Sequence, residues 1–212
     1  MKRLVLCCAV LFALTSSVHA QMGSIGPSIA FGVQGDAVNL NLPGIYSDIY
    51  GLGLGGGVHF DVKFGLLAFR VSGDYLTLSP DKNKYIAYAE TILPPALASS
   101  INISGGRIDV YSANLNLKWT LLPLPIIHVY ATGGAGYVRL TTADATVTIP
   151  GLGPFTVHPA IASQNKPALN AGAGVDLHLF GFDIYGELKL NWIMTEGKTS
   201  TEVPLATVGL TF

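Results

Sequence analysis

The feature that most limits this chain is the period of its apolar residues, which is two over unusually long runs. From Tyr111 to Leu121, the positions Tyr111, Ala113, Leu115, Leu117, Trp119 and Leu121 are apolar or aromatic, while Ser112, Asn114, Asn116, Lys118 and Thr120 lie between them. Successive side chains of a strand point to opposite faces, so this run has one greasy face and one polar face. The same alternation sets Leu52, Leu54, Val58, Phe60, Val62 and Phe64 against Gly53, Gly55, Gly57, His59, Asp61 and Lys63. It sets Leu169, Ala171, Ala173, Val175, Leu177 and Leu179 against Asn170, Gly172, Gly174, Asp176 and His178. Finally, Ile184, Leu188, Leu190 and Trp192 alternate with Asp183, Tyr185, Glu187, Lys189 and Asn191. No convincing helical stripe competes with this pattern.

Such runs predict eight strands, near 28–36, 50–64, 67–79, 107–121, 126–142, 167–180, 182–195 and 203–212. Their connections alternate in length: Phe64-Gly65-Leu66, Leu122-Pro123-Leu124-Pro125 and Phe180-Gly181-Phe182 are tight, and the others are long. An even number of strands with all short turns at one end and all long loops at the other is the plan of a transmembrane barrel. The predicted fold is therefore all-β, an eight-stranded antiparallel up-and-down transmembrane β-barrel. Most of the runs exceed the ~9–11 residues that a tilted strand needs to cross the hydrocarbon. Tyr111 and Trp119 bracket one strand and Phe182 and Trp192 another, as interfacial aromatic girdles would. The competing plan is a soluble barrel with the apolar parity inside. It would need a charged exterior, whereas the polar parity here is mostly Gly, Asn, Ser and Thr, and only 12% of the 212 residues are charged.

The first twenty residues are set apart from this pattern. Lys2 and Arg3 precede an apolar stretch from Leu4 to Leu14, and Val18-His19-Ala20 closes a polar, small-residue segment. This is the layout of a secretory signal peptide cleaved after Ala20, and the stretch is shorter than the ~17–25 residues of a membrane-crossing helix. The expected division is a signal peptide at 1–20 and a barrel domain at 21–212. Cys7 and Cys8 both fall in the leader, so the exported chain takes no disulfide. It has 10 basic against 13 acidic groups, which leaves no surplus of cations for nucleic acid.

With these residues in view, the chain resembles the small eight-stranded outer-membrane barrels of Gram-negative bacteria, the family of the OmpA membrane domain and OmpX. Ala206, Val208, Leu210 and the terminal Phe212 share one parity and look like the C-terminal strand signal such proteins present to the barrel-assembly machinery. The resemblance implies insertion in the outer membrane among its lipids, and a barrel-only member with no periplasmic anchor after Phe212.

Inside such a barrel the polar parity faces the bore. It carries Asp61, Lys63, Arg70, Asp74, Lys118, Asp176, Asp183, Glu187 and Lys189, four cations against five carboxylates. Unpaired charges in so narrow a space cost several kcal/mol each, so mutual pairing and a plugged bore are expected. By depth along the strands, Lys63, Arg70, Lys118, Asp176, Asp183 and Glu187 belong to the half nearer the turns.

Gly51-Leu52-Gly53-Leu54-Gly55-Gly56 satisfies the dinucleotide fingerprint, but its glycines lie within a strand with no helix after them. Their expected role is steric, leaving room in the bore for large neighbours, as for Gly133-Gly134-Ala135-Gly136. His59, His128, His158 and His178 have no metal-ligand spacing, and no cofactor is expected. The expected function is structural or surface interaction through the long loops at 37–49, 80–106, 143–166 and 196–202. The apolar segments Tyr85-Ile86-Ala87-Tyr88-Ala89 and Ile92-Leu93-Pro94-Pro95-Ala96-Leu97 make 80–106 the candidate for a surface partner, or a flap over the barrel mouth. The alternatives are a narrow pore for small solutes and a lipid-modifying enzyme.

Overall fold

A computed structural model describes residues 27–38, 50–91, 94, 102–149, 153–158, 163–194 and 201–212. The expected leader at 1–20 lies outside them. Eight long strands close into an antiparallel barrel. They are β1 (Ser28–Val38), β2 (Gly53–Phe64), β3 (Leu67–Leu78), β5 (Ile108–Pro123), β6 (Ile127–Thr142), β9 (Gln164–Leu179), β10 (Phe182–Ile193) and β11 (Thr201–Thr211). Each pairs with its neighbours along the chain, and β1 pairs with β11. Phe31 and Phe212 complete that last junction by exchanging backbone bonds of 3.1 and 2.7 Å.

Tight turns join β2 to β3, β5 to β6 and β9 to β10. Gly65 and Gly181 sit in two of them with φ of 59° and 94°, a backbone that a side chain would strain. Thr120 and Leu122 flank a register shift where β5 meets β6. The first and last strands, expected to be short, run 11 residues each.

The loop side holds structure that period-two reading passes over. Helix α1 (Lys82–Glu90) begins at Asp81, whose Oδ1 accepts the backbone N–H of Asn83 at 2.9 Å, an N-cap. Three short strands, β4 (Asn102–Gly105), β7 (Ala145–Ile149) and β8 (Gly153–Val157), form a separate sheet. The expected loops at 80–106 and 143–166 thus contain a helix and three short strands. Most of the apolar segment 92–97 lies outside the described residues. Tyr50 ties the rim together, donating its hydroxyl to the carbonyl of Gly106 at 2.6 Å.

One parity of every barrel strand faces out and is mainly apolar, with Leu188 70% and Val208 65% exposed. Phe64, Phe69 and Trp119 ring the turn end of this surface, and Tyr75, Tyr111 and Tyr137 its loop end. Side chains of the other parity fill the bore.

Candidate bore site

All nine charged residues assigned to the bore face inward. They are joined there by Asp36, which stands at the last position of the predicted first strand and was not among the expected bore charges. Lys166 shares the inward parity at the loop-end mouth, and below it the described bore charges are four cations and six carboxylates.

At the turn end, the Lys63 ammonium lies 3.3 Å from Asp183. The other oxygen of Asp183 accepts from His178 Nδ1 at 2.5 Å, and His178 Nε2 meets His128 Nδ1 at 2.6 Å. With His178 neutral and its Nδ1–H donated to the Asp183 carboxylate, its Nε2 is left as an acceptor and His128 donates to it. This pair of histidines had no motif to betray it, since it forms across the junction of β6 and β9 and not within one strand. A cavity of about 110 Å³ opens beside it, lined in part by Lys63, Lys118, His128 and Asp176.

Above this level Lys118 pairs with Asp176 at 2.7 Å and places its ammonium 3.7 Å from the ring centre of Tyr130. Arg70, 3% exposed, grips Asp61, 0% exposed, through two bonds of 2.7 and 2.8 Å. This is the planar fork that guanidinium and carboxylate make best. Arg70 also lies 3.9 Å from Glu187, which takes Lys189 at 2.9 Å, and Arg70 stacks over Tyr185 at 4.7 Å. The two tyrosines need space that their neighbours vacate. A Cβ on Gly174 would strike the hydroxyl of Tyr130, and one on Gly209 would meet the ring of Tyr185 at 2.6 Å. The glycines singled out in sequence divide: Gly53, Gly55, Gly134 and Gly136 face inward, while Gly56 and Gly133 face outward and make no room in the bore.

At mid-height the carboxylates are held by neutral donors. Asp74 accepts from Gln34 Nε2 at 2.5 Å, Ser112 Oγ at 2.9 Å and Asn114 Nδ2 at 3.3 Å. Asp36 accepts from Thr207 at 2.6 Å. His59 is enclosed here, 3.1 Å from both Gln34 Oε1 and Thr211 Oγ1, and faces Tyr185 edge-on. No described serine bonds a histidine ring, and no described group of three ligands could hold a metal ion. His158 lies apart from the bore, exposed beside Asp144 at 3.0 Å.

The loop end corrects the expectation that the inward parity is polar throughout. Val38, Leu76, Leu78, Ile108, Val110, Val138, Ala168, Ile193, Val203 and Leu205 pack there as one cluster, with Tyr50 and Leu140 against it. A cavity of about 40 Å³ lies among them.

Ala206, Val208 and Leu210 stand on the outward parity of β11, and the Phe212 ring lies 6.5 Å from that of Phe182 at the turn end.

No protein-family model matches the chain, and no curated protein matches it. Among solved structures it is similar to Neisserial surface protein A, at 12% identity over 88% of this chain and 97% of that one, with a TM-score of 0.53. It is also similar to a major outer membrane protein from Thermus thermophilus (15% identity, 87% and 98% covered, TM-score 0.49). A third is Ail, the attachment invasion locus protein of Yersinia pestis (16% identity, 88% and 97% covered, TM-score 0.42). The first likeness, at that identity, is one of fold: the small eight-stranded outer-membrane barrel.

Proposed function

We propose that this chain, a barrel of the outer-membrane type, lies in the outer membrane of a Gram-negative cell as a structural and surface-interaction protein. Its tight turns face the periplasm and its long loops the exterior. The observation that carries this reading is the inversion of the molecule. An apolar, aromatic-rimmed belt covers the outside, while Asp61, Arg70, Lys118, Asp176 and Glu187 are buried in the middle and lower bore. Only a bilayer makes that distribution favourable, since it solvates the belt and forbids open backbone edges. The outward parity of Ala206, Val208, Leu210 and Phe212 supports their role as the signal read by the barrel-assembly machinery.

The bore is read as closed, because the ion pairs occupy space that a conducting path would need and their charges mix both signs instead of forming rings of one. The non-enzymatic reading rests on the histidines: His128 and His178 are tied to each other and to Asp183, and His59 is sealed among Gln34, Tyr185 and the Thr211 hydroxyl, with no serine or cysteine bonded to any of them among the described residues. Membrane fractionation combined with gels of boiled and unboiled protein tests the placement. The expected result is outer-membrane protein with a heat-dependent mobility shift, and soluble periplasmic protein without a shift would overturn it. In planar bilayers no steady large conductance is expected, and porin-like open channels would overturn the closed bore.

A further inference from the structure

Arg139 is the one cation on the outward face of the barrel strands among the described residues. Among the outward positions of the eight barrel strands only Asp109, Arg139 and Glu202 are charged, and all three lie toward the loop end. Asp109 is already engaged, accepting from the Tyr75 hydroxyl at 2.9 Å and from Arg107 Nε at 3.1 Å. The Arg139 side chain has neither an ion pair nor a hydrogen bond among the described residues. It stands directly across from Tyr111 on β5 and from Asn165 on β9, with Tyr137 two positions away on the same face. Tyr111 is 48% and Tyr137 55% exposed, and Tyr75 packs against Tyr111 with ring centres 5.1 Å apart.

Depth says what these residues meet. Eight residues separate Tyr111 from Trp119 at the opposite rim, about 27 Å along the strand and roughly 20 Å along the membrane normal at a tilt near 40°. That separation approaches the ~25 Å height of an apolar barrel belt, which places Arg139 at the outer lipid interface. A guanidinium there has no ion pair among the described residues, its diagonal neighbour Asp109 on the same face being held by Arg107 and Tyr75, and it takes its counterion from the lipid.

We propose that Arg139, flanked by Tyr111 and Tyr137, is a lipid-facing site for the phosphate of a phosphorylated glycolipid headgroup in the outer leaflet. The guanidinium fork matches two phosphate oxygens, and the tyrosines keep their rings among acyl chains while their hydroxyls reach the headgroup. This rests on the membrane orientation proposed above. The loop end faces the leaflet whose lipids, in an outer membrane, are phosphorylated sugars.

The test uses the full barrel, purified in detergent micelles and titrated with lipid A or with the same lipid stripped of its phosphates, bound lipid being counted by native mass spectrometry. The phosphorylated form is expected to bind about tenfold more tightly, the size of one charge-assisted contact. Arg139→Gln abolishes that preference, Arg139→Lys keeps part of it, and Lys82→Gln on helix α1 leaves it unchanged. All three variants should retain the heat-dependent mobility shift of a folded barrel. Equal binding of the two lipids by the parent, or an undiminished preference in Arg139→Gln, would overturn the site. An equal loss in Lys82→Gln would overturn it in favour of diffuse attraction of a polyanion. If the parent fractionates with the outer membrane yet shows no phosphate preference, this inference alone fails. If the parent is not in that membrane, the reading beneath it fails as well.

Discussion

The two ends of the bore are filled from the same strand parity by opposite chemistry. Toward the turns, Lys63, Arg70, Lys118 and their carboxylates interlock through bonds of fixed length and direction. Toward the loops, Leu76, Leu78, Ile108, Val110 and their neighbours fill space with no directional bond at all. The ionic end depends on partners, because each charge is tolerable only while its counter-charge remains. The apolar end depends on volume, because what matters there is how little space is left over. One half should fail when a pair is broken and recover when both members go. The other should fail in proportion to the atoms removed.

The largest effect should come from breaking the best-buried pair. Arg70→Ala leaves Asp61 and Glu187 facing each other without their shared cation, and a loss of about 3–5 kcal/mol is expected in urea unfolding from lipid vesicles. A variant as stable as its parent would show that the network is ornamental. At the loop end Leu78→Ala, at a fully buried position, should cost about 2–4 kcal/mol, with no dependence on added salt. The sharpest contrast comes from a double change. Lys118→Met alone strands Asp176, but Lys118→Met combined with Asp176→Leu should return to within about 1 kcal/mol of the parent by the same measurement. No such recovery has a counterpart at the apolar end. The smallest effect belongs to the turn-end mouth, where Lys63 and Asp183 keep side-chain exposures of 33% and 18%. Lys63→Ala should cost no more than about 1 kcal/mol, and less in high salt.

The ionic half was easier to read from sequence than the apolar half, and the reason is local. Where Lys118, Asp176 or Glu187 alternates with leucines, polarity itself announces which side faces in. At Tyr75-Leu76-Thr77-Leu78 both parities are apolar or nearly so, and the inward leucines cannot be told from a lipid-facing run. Helix α1 was missed for a related reason: Lys82 to Glu90 has no sustained apolar stripe, and its start is marked only by Asp81. The contact of His128 with His178 and the bond from Gln34 to Asp74 depend on which strands become neighbours, information that no single run contains. Pairing could be anticipated as a necessity, but the identity of each pair could not.

The junction made by Phe31 and Phe212 places a demand on time as well as on space. It joins the first strand of the barrel to the last, so β1 waits with a free edge until β11 is in place, and closure belongs at the very end of folding. Until then the sheet is open, water reaches Asp36, Asp61 and Asp74, and a carboxylate without a partner costs little. Sealing the cylinder and matching its charges are thus one event. Loss of β11 would leave an open sheet with two sticky edges, and not a smaller barrel.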